Sequence, residues 1–231
     1  TLREGEGKDV LLLHGYLSCK ESFYYQIKFL SRYFRVTAPD IIGFGASARL
    51  EEPYSLDDYC DWLKEFINVS GLEKPHIIAH SFGARLAFKF LSGQKDAADK
   101  LVITGGAGIV KPRSKSYIRR VKAYRRMKKF FPSYAEKHFG SEEYRTLPPV
   151  MRESYKKIVN EDLRSFAAAV ENKTLLIYGR EDKVTPPDCE GKIFNGLIRD
   201  STFALADGGH FCFSENAEAF NKLVYDFLTE N

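Results

Sequence analysis

A serine stands where an apolar run changes into a helical pattern, in the stretch IIAHSFGARLA at residues 77–87. The run HIIAH predicts a buried strand and FGARLAFKFL predicts a helix, so Ser81 occupies the bend between them. A sharp strand-to-helix turn exposes the serine hydroxyl and needs small flanking residues, as Ala79 and Gly83 are. Free amides at the start of the helix would suit a developing oxyanion. The same pattern also fits a serine that only caps a helix.

Four further segments decide between these interpretations, because with the serine turn they resemble the motifs of the α/β-hydrolase superfamily in the family's order. They are LLLHGYLSCKESF (strand and HG turn), APDIIGFGAS (D-x-x-G-x-G-x-S), TLLIYGREDKVTPP (strand and acid loop) and DGGHFCFSENAEAF (histidine loop). The turn departs from the family's G-x-S-x-G pattern only in Ala79, which replaces the first glycine. The resemblance spans nearly the whole chain and implies a serine nucleophile. It excludes branches that attack with aspartate, such as haloalkane dehalogenases and epoxide hydrolases.

Serine becomes a nucleophile only when a base takes its proton and a third group fixes the tautomer of that base. His80 is a poor base for Ser81, because neighbours along a strand point to opposite faces. His210 lies in a Gly-Gly loop from which it can reach the serine, and Asp182 completes the order Ser, Asp, His. The stretch GGAGIV after the strand at 101–105 offers no alternative carboxylate. The remaining nearby carboxylates are interpreted as solvated loop charges: Glu181, Asp188 and Asp207.

Two backbone amides are expected to form the oxyanion hole, those of Tyr16 after the HG turn and Phe82 after the nucleophile. His14 is expected to support the HG loop by packing. The sequence contains no metal-ligand spacing, phosphate loop or dinucleotide fingerprint, and the G-F-G at 43–45 is too short to cradle a pyrophosphate. We therefore expect neither a cofactor nor a metal.

Short apolar runs alternate with longer amphipathic ones, which predicts a mostly parallel sheet flanked by helices. The predicted strands are 9–13, 34–38, 76–80, 101–105, 174–178 and 201–205. The predicted helices are 20–32, 55–69, 82–93, 187–197 and 214–229. The second of these helices opens with SLDD, in which Ser55 and Asp58 form a capping box. This alternation is typical of an α/β fold whose loops carry the site.

The alternation is interrupted over residues 111–170, which we name the inserted segment. Residues 1–110 and 171–231 are predicted to form the α/β-hydrolase core, and the resemblance implies that the inserted segment is a helical cap. Between residues 111 and 160 there are 15 Lys/Arg and 4 Asp/Glu. A helix over 114–131 would place one apolar stripe opposite its arginines and lysines. The stripe comprises Tyr117, Val121, Tyr124, Met127 and Phe131, of which Tyr117 and Tyr124 are candidate substrate-binding residues.

Three interpretations of this basic helix remain open. The first is a cap helix with its apolar side over the site and a solvated charged back, since charge runs usually face water. The second is recognition of an anionic substrate by an arginine turned inward. The third is contact with an anionic membrane surface. Nucleic acid binding is not expected, because nothing beyond charge supports it.

Arg85 lies four residues after Ser81, on the same side of the predicted helix. The stretch HSFGAR resembles the nucleophile turn of the menaquinone-pathway synthase of this superfamily, which uses an arginine at this position for a polycarboxylate substrate. Arg85 is therefore a candidate substrate-binding residue. The favoured interpretation is nevertheless a salt bridge that holds the helix to the scaffold.

The chain of 231 residues suits one large domain, and its apolar runs are shorter than the ~20 residues that span a bilayer. Four scattered cysteines indicate a reducing compartment, so a cytoplasmic protein is expected. The predicted function is serine-dependent hydrolysis of a small-molecule carboxylic ester or thioester through an acyl-enzyme. One alternative is a lyase-like synthase or C–C bond hydrolase acting on a carboxylated substrate. Another is a ligand sensor with little turnover.

Overall fold

The computed structural model describes residues 1–110, 115–131 and 146–230. In this part of the chain a seven-stranded sheet has the order β1-β3-β2-β4-β5-β6-β7. The strands are β1 (Leu2–Glu4), β2 (Asp9–Leu13), β3 (Arg35–Ala38), β4 (His76–His80), β5 (Leu101–Thr104), β6 (Thr174–Gly179) and β7 (Ser201–Ala206). The short β1 pairs antiparallel with β3, and every other neighbouring pair is parallel. The predicted α/β-hydrolase fold class, with a mostly parallel sheet, is therefore confirmed.

Helices cover both faces of the sheet, which explains why every residue of β2, β4, β5 and β6 is buried. One face packs against α2, α3, α5, α6 and α7, and the other packs against α1, α8 and α9. The helices are α1 (Tyr24–Leu30), α2 (Leu56–Val69), α3 (Phe82–Gly93), α4 (Lys115–Phe130), α5 (Pro149–Val159), α6 (Arg164–Ala168), α7 (Gly191–Leu197), α8 (Cys212–Glu215) and α9 (Ala217–Thr229). A 3₁₀ turn at Lys20–Phe23 precedes α1.

The carboxyl ends of the parallel strands meet at one edge of the sheet, where α/β folds place their sites. The loops after β2, β4, β6 and β7 carry Tyr16, Ser81, Asp182 and His210 respectively. The sheet order reverses at β2, which lies between β3 and β4. The HG loop and the serine turn therefore flank this topological switch point.

The predicted elements are present with shifted ends. The helix predicted from 187 begins at Gly191, because the preceding residues form a turn in which Cys189 and Glu190 donate to the Pro186 carbonyl. The capping box of α2 is confirmed, since Ser55 Oγ accepts from the Asp58 amide and the Asp58 carboxylate accepts from the Ser55 amide. The strand β1 was missed, because three residues are too few to show a periodic pattern.

The inserted segment contributes α4, α5 and α6 between β5 and β6. On α4, the stripe residues Val121, Tyr124 and Met127 are half-buried, as an amphipathic helix requires. The expectation for Phe131 was wrong, because this residue lies beyond the end of α4 and is 64% exposed. The side chain of Tyr117 lies outside the described residues. No helix in the described ranges is long and apolar enough to cross a membrane.

Hydrogen bonds distributed along α5 join it to loops and helices of the core. They run from Tyr16 Oη to Met151 O (3.2 Å), from Tyr54 N to Ser154 Oγ (2.9 Å), from Lys157 Nζ to Pro53 O (2.6 Å) and from Arg85 Nη1 to Ile158 O (3.0 Å). Met151, Ser154 and Ile158 are buried, so one face of α5 is part of the main core. The inserted segment is thus attached to the core through this helix.

Candidate active site

Ser81 occupies the tight turn between β4 and α3, as its sequence context predicts. Its backbone has φ 51° and ψ −101°, a conformation that an L-residue adopts only where the surrounding structure imposes it. A side chain at Gly83 would place its Cβ 2.2 Å from the Leu13 carbonyl oxygen, so this position accepts only glycine. The close approach of α3 to the end of β2 is therefore the physical reason why the residue two positions after Ser81 is glycine.

Asp182 and His210 form a direct pair, with Asp182 Oδ2 2.8 Å from His210 Nδ1. Asp182 Oδ1 accepts from the backbone amides of Val184 and Thr185 at 2.8 and 2.9 Å. Burial raises the pKa of Asp182, but the hydrogen bonds from His210 and Thr185 outweigh burial and hold it below its usual value. The carboxylate is therefore ionised and fixes the His210 proton on Nδ1, which leaves Nε2 free to accept a proton.

The other carboxylates near this loop are engaged elsewhere or lie on the surface. Asp207 pairs with Arg180 at 3.1 Å, and both side chains are exposed. Asp188 pairs with Lys192 one helical turn away. Glu181 is exposed. Asp182 is thus the buried carboxylate of this group that contacts His210.

Thr185 belongs to the same site and was missed by the sequence prediction. Its Oγ1 lies 2.8 Å from Asp182 Oδ2, 3.2 Å from His210 Nδ1 and 3.0 Å from the Gly105 carbonyl oxygen. The hydroxyl therefore fixes the acid against the end of β5. A threonine three residues after an aspartate is a local turn signal that could have indicated this contact.

The HG loop lies directly against the serine turn. A Cβ built on Gly15 would be 3.6 Å from Ser81 Cβ, so the backbone of this loop borders Ser81. His14 Nε2 accepts from the Ile41 amide at 2.9 Å, which places the ring proton on Nδ1, 2.8 Å from the Gly15 carbonyl oxygen. Burial lowers the pKa of His14, which keeps this ring neutral.

The contact of His14 also orients the Tyr16 amide. The Gly15 carbonyl and the Tyr16 N–H belong to one planar trans peptide and point in opposite directions. By holding the carbonyl, His14 therefore holds the amide predicted to face the oxyanion. The expected support of the loop by His14 thus operates through hydrogen bonds as well as packing.

Aromatic rings surround the two predicted oxyanion residues. The rings of Tyr16 and Phe82 meet edge-on with centroids 5.6 Å apart, and Tyr16 also contacts Phe44 at 4.9 Å and Tyr155 of α5 at 5.2 Å. Phe82 and Phe44 are buried, and Tyr16 and Tyr155 are partly buried. An apolar aromatic wall therefore stands beside the serine turn.

Arg85 holds α3 to the inserted segment. Its Nη1 donates to the carbonyl oxygens of Ile158 at 3.0 Å and Glu161 at 3.2 Å, at the carboxyl end of α5, where the helix dipole favours a cation. The residue is 9% exposed, and burial lowers the pKa of its guanidinium. The favoured interpretation was a salt bridge, whereas in the described part of the chain Arg85 donates to backbone carbonyls.

Replacement of Arg85 by methionine is expected to destabilise the protein by about 2–3 kcal/mol, because the buried Ile158 carbonyl and the partly buried Glu161 carbonyl lose a charged donor. For a chain of this size the melting temperature would fall by about 5–10 °C. Thermal unfolding followed by circular dichroism measures the change. Lys95→Met, which removes an exposed pair with Glu171, is the control and is expected to shift the melting temperature by no more than about 1–2 °C. Equal melting temperatures for the two variants would contradict the structural role.

The remaining candidates are less closely defined. Tyr124 is half-buried on α4, and the position of the Tyr117 side chain lies outside the described residues, so substrate binding by both stays a prediction. Within the described ranges, no group of three or more His, Cys, Asp or Glu side chains could hold a metal ion.

Comparison with known proteins gives a consistent family. A family model described as alpha/beta hydrolase fold matches residues 9–147. AB hydrolase superfamily protein YisY of Bacillus subtilis is 29% identical over 253 residues, covering 96% of this chain and 92% of the relative. A 2-hydroxymuconate semialdehyde hydrolase of a Pseudomonas species is 26% identical over 218 residues, covering 85% of this chain and 77% of the relative.

Solved structures agree. The meta-cleavage product hydrolase CumD from Pseudomonas fluorescens superposes with a TM-score of 0.75 at 25% identity, covering 98% of this chain and 92% of CumD. A bromoperoxidase from Bacillus anthracis superposes with a TM-score of 0.81 at 22% identity, covering 99% and 94%, and supports the fold alone. The chain belongs to the α/β-hydrolase family.

Proposed function

We propose that the protein is a serine hydrolase that cleaves a carboxylic ester or thioester of a small molecule through an acyl-enzyme. The observation that carries this proposal is the 2.8 Å pair between His210 and the buried Asp182, at the same sheet edge as the strained Ser81 turn. A base whose proton is fixed on Nδ1 presents Nε2 for proton transfer, which is what activation of a serine requires.

The proposed reaction follows from these positions. His210 Nε2 takes the proton of Ser81 as the serine oxygen attacks the substrate carbonyl, and the amides of Tyr16 and Phe82 stabilise the oxyanion. The protonated His210 then gives its proton to the leaving alcohol or thiol, and the acyl group stays on Ser81. Water activated by His210 cleaves the acyl-enzyme, releases the acid and restores the serine. Asp182 orients His210 throughout and stabilises its imidazolium.

The surroundings of the serine favour an uncharged substrate. The partly exposed rings of Tyr16 and Tyr155, which pack on the buried rings of Phe44 and Phe82, offer apolar surface to the bound group. Arg85, the cation that the sequence placed nearest the serine, donates instead to carbonyls of the inserted segment. We therefore propose a neutral ester with an apolar acyl or alcohol group.

A second candidate is hydrolysis of a carbon–carbon bond in a carboxylated substrate. It is favoured by relatives named as 2-hydroxymuconate semialdehyde hydrolases and by the similarity to CumD. The same serine, histidine and acid would serve that reaction, so the triad geometry does not separate the two candidates. The charge of the substrate does.

A substrate panel tests the choice between them. We expect nitrophenyl esters of neutral acids to be hydrolysed with kcat/KM of about 10⁴ M⁻¹s⁻¹ or higher for the preferred chain length. 2-Hydroxymuconate semialdehyde should react at least about tenfold less efficiently, because among the described residues aromatic rings lie beside the serine turn and Arg85 already donates to two backbone carbonyls. The reverse ranking would identify a C–C hydrolase. If neither substrate reacts and a fluorophosphonate probe fails to label Ser81, the serine-hydrolase proposal is wrong.

A further inference from the structure

His80 makes a contact that its assignment as a poor base does not explain. It is the last residue of β4, directly before Ser81, and is 2% exposed. Its Nε2 lies 3.0 Å from the backbone carbonyl oxygen of His210. A carbonyl can only accept a hydrogen bond, so Nε2 carries the ring proton and Nδ1 carries the lone pair.

The contact joins two distant parts of the chain at the reacting groups. His80 and His210 are 130 residues apart in sequence, yet their rings lie 4.7 Å apart between centroids. One end of the connection is covalently continuous with Ser81, and the other is the main chain of the proposed base. The hydrogen bond therefore ties the backbone of the nucleophile turn to the backbone of the histidine loop.

The polarity of His80 has no packing explanation. Its ring packs among those of His210, Phe211 and Phe213, at centroid distances of 4.7 to 5.2 Å, and these ring contacts do not need a nitrogen atom. Its Nδ1 is buried without a hydrogen-bond partner in the described part of the chain, and a Cβ on Gly15 would approach it to 2.9 Å. A buried acceptor without a partner is costly. The imidazole therefore carries an energetic cost at Nδ1, and the hydrogen bond that the described residues give it is the one from Nε2.

Burial also fixes the form of this ring. Desolvation, followed by the nearby His210, lowers the pKa of His80 to about 3. The ring is therefore neutral at ordinary pH, and the His210 carbonyl selects its Nε2–H tautomer. His80 does not compete with His210 for the serine proton, and it remains a constant donor through the reaction.

We propose that His80 is a positioning residue that sets the distance between Ser81 and His210 by holding the His210 carbonyl. Asp182 and Thr185 contact the His210 ring at Nδ1 and orient it. They do not fix the main chain of His210 relative to Ser81. His80 supplies this second constraint, so His210 is held from its ring and from its backbone. The inference rests on the proposed serine-hydrolase function.

A pair of variants separates positioning from packing. His80→Phe keeps an aromatic ring without a donor, whereas His80→Gln places an amide N–H near the position of Nε2. We expect His80→Phe to lower kcat by on the order of tenfold to a hundredfold with KM nearly unchanged, as misplacement of a catalytic group does. His80→Gln should recover most of the kcat that His80→Phe loses, even if His80→Gln has the lower melting temperature. Equal kcat values for phenylalanine and wild type, or equal losses in both variants, would overturn the proposal.

A spectroscopic measurement on the unmodified protein tests the contact itself. Long-range ¹H–¹⁵N correlation spectra should show that His80 is protonated at Nε2 and unprotonated at Nδ1 throughout pH 5–9. A proton on Nδ1 would overturn the proposal even if neither variant folds. Fluorophosphonate labelling of wild-type Ser81 distinguishes the two levels of failure. An unlabelled serine rejects the proposed function, whereas a labelled serine with an unaffected His80→Phe variant rejects only the role of His80.

Discussion

Replacement of Ser81 by alanine is expected to lower kcat/KM for the preferred ester by at least about 10⁴-fold. The variant keeps the turn, the amides of Tyr16 and Phe82 and the histidine pair, but it has no atom that can form the acyl-enzyme. Ester hydrolysis is measured over a substrate concentration series, beside labelling with a fluorophosphonate probe. Wild-type protein should be labelled on Ser81, and the variant should not be labelled.

Ser92→Ala is the matched control for this variant. Ser92 lies on the same helix, α3, and among the described residues its hydroxyl bonds to the Lys89 carbonyl within that helix. Its loss should leave kcat/KM within about twofold of wild type, since a local bond of this kind has little effect on its surroundings. If Ser81→Ala retained more than a few per cent of the wild-type kcat/KM, Ser81 would not be the nucleophile.

Replacement of Asp182 by asparagine is expected to lower kcat by about 10⁴-fold while the fold is retained. The amide has nearly the same shape as the carboxylate, but it carries no charge to stabilise the imidazolium of His210. It can also donate to His210 Nδ1, which would move the ring proton to Nε2 and block the base. The pKa of Asp182 is held below its usual value, so the native protein presents the charged form at every pH at which esters are assayed.

Asp207→Asn is the control, because Asp207 is exposed and pairs with Arg180 on the surface of the same region. This variant should retain wild-type kcat, and steady-state kinetics beside a thermal unfolding curve distinguish lost chemistry from lost structure. A small effect of Asp182→Asn together with a large effect of Asp207→Asn would transfer the role of the acid to the exposed carboxylate.

The sheet and the histidine–acid pair could be predicted from the sequence because their signals are local. Buried parallel strands are apolar almost throughout, and the turn at Ser81 requires a small residue at Gly83 for a steric reason that a short motif records. The assignment of Asp182 also depended on the order of the motifs along the chain, which sets the order of the loops at the sheet edge.

The missed contacts are those between residues far apart in sequence. The pattern around Arg85 showed a cation one turn after the serine, but its partners, the carbonyls of Ile158 and Glu161, lie more than 70 residues away. The strand pattern predicts that His80 points away from Ser81, but its bond to the His210 carbonyl depends on how a distant loop folds back. Backbone carbonyls carry no residue-specific signal, so such partners are invisible to motif analysis.

The attachment of α5 to the core has a consequence for how this protein could diversify. Bonds from Tyr16, Tyr54 and Arg85 hold the helix near its beginning, middle and end, so its backbone cannot shift without breaking buried or partly buried contacts. Natural variation or laboratory evolution must therefore change side chains on a stationary helix, as at Tyr155, or act on other parts of the inserted segment. Such changes would leave Ser81, Asp182 and His210 in place, so the proposed reaction would be kept while the preferred substrate changes.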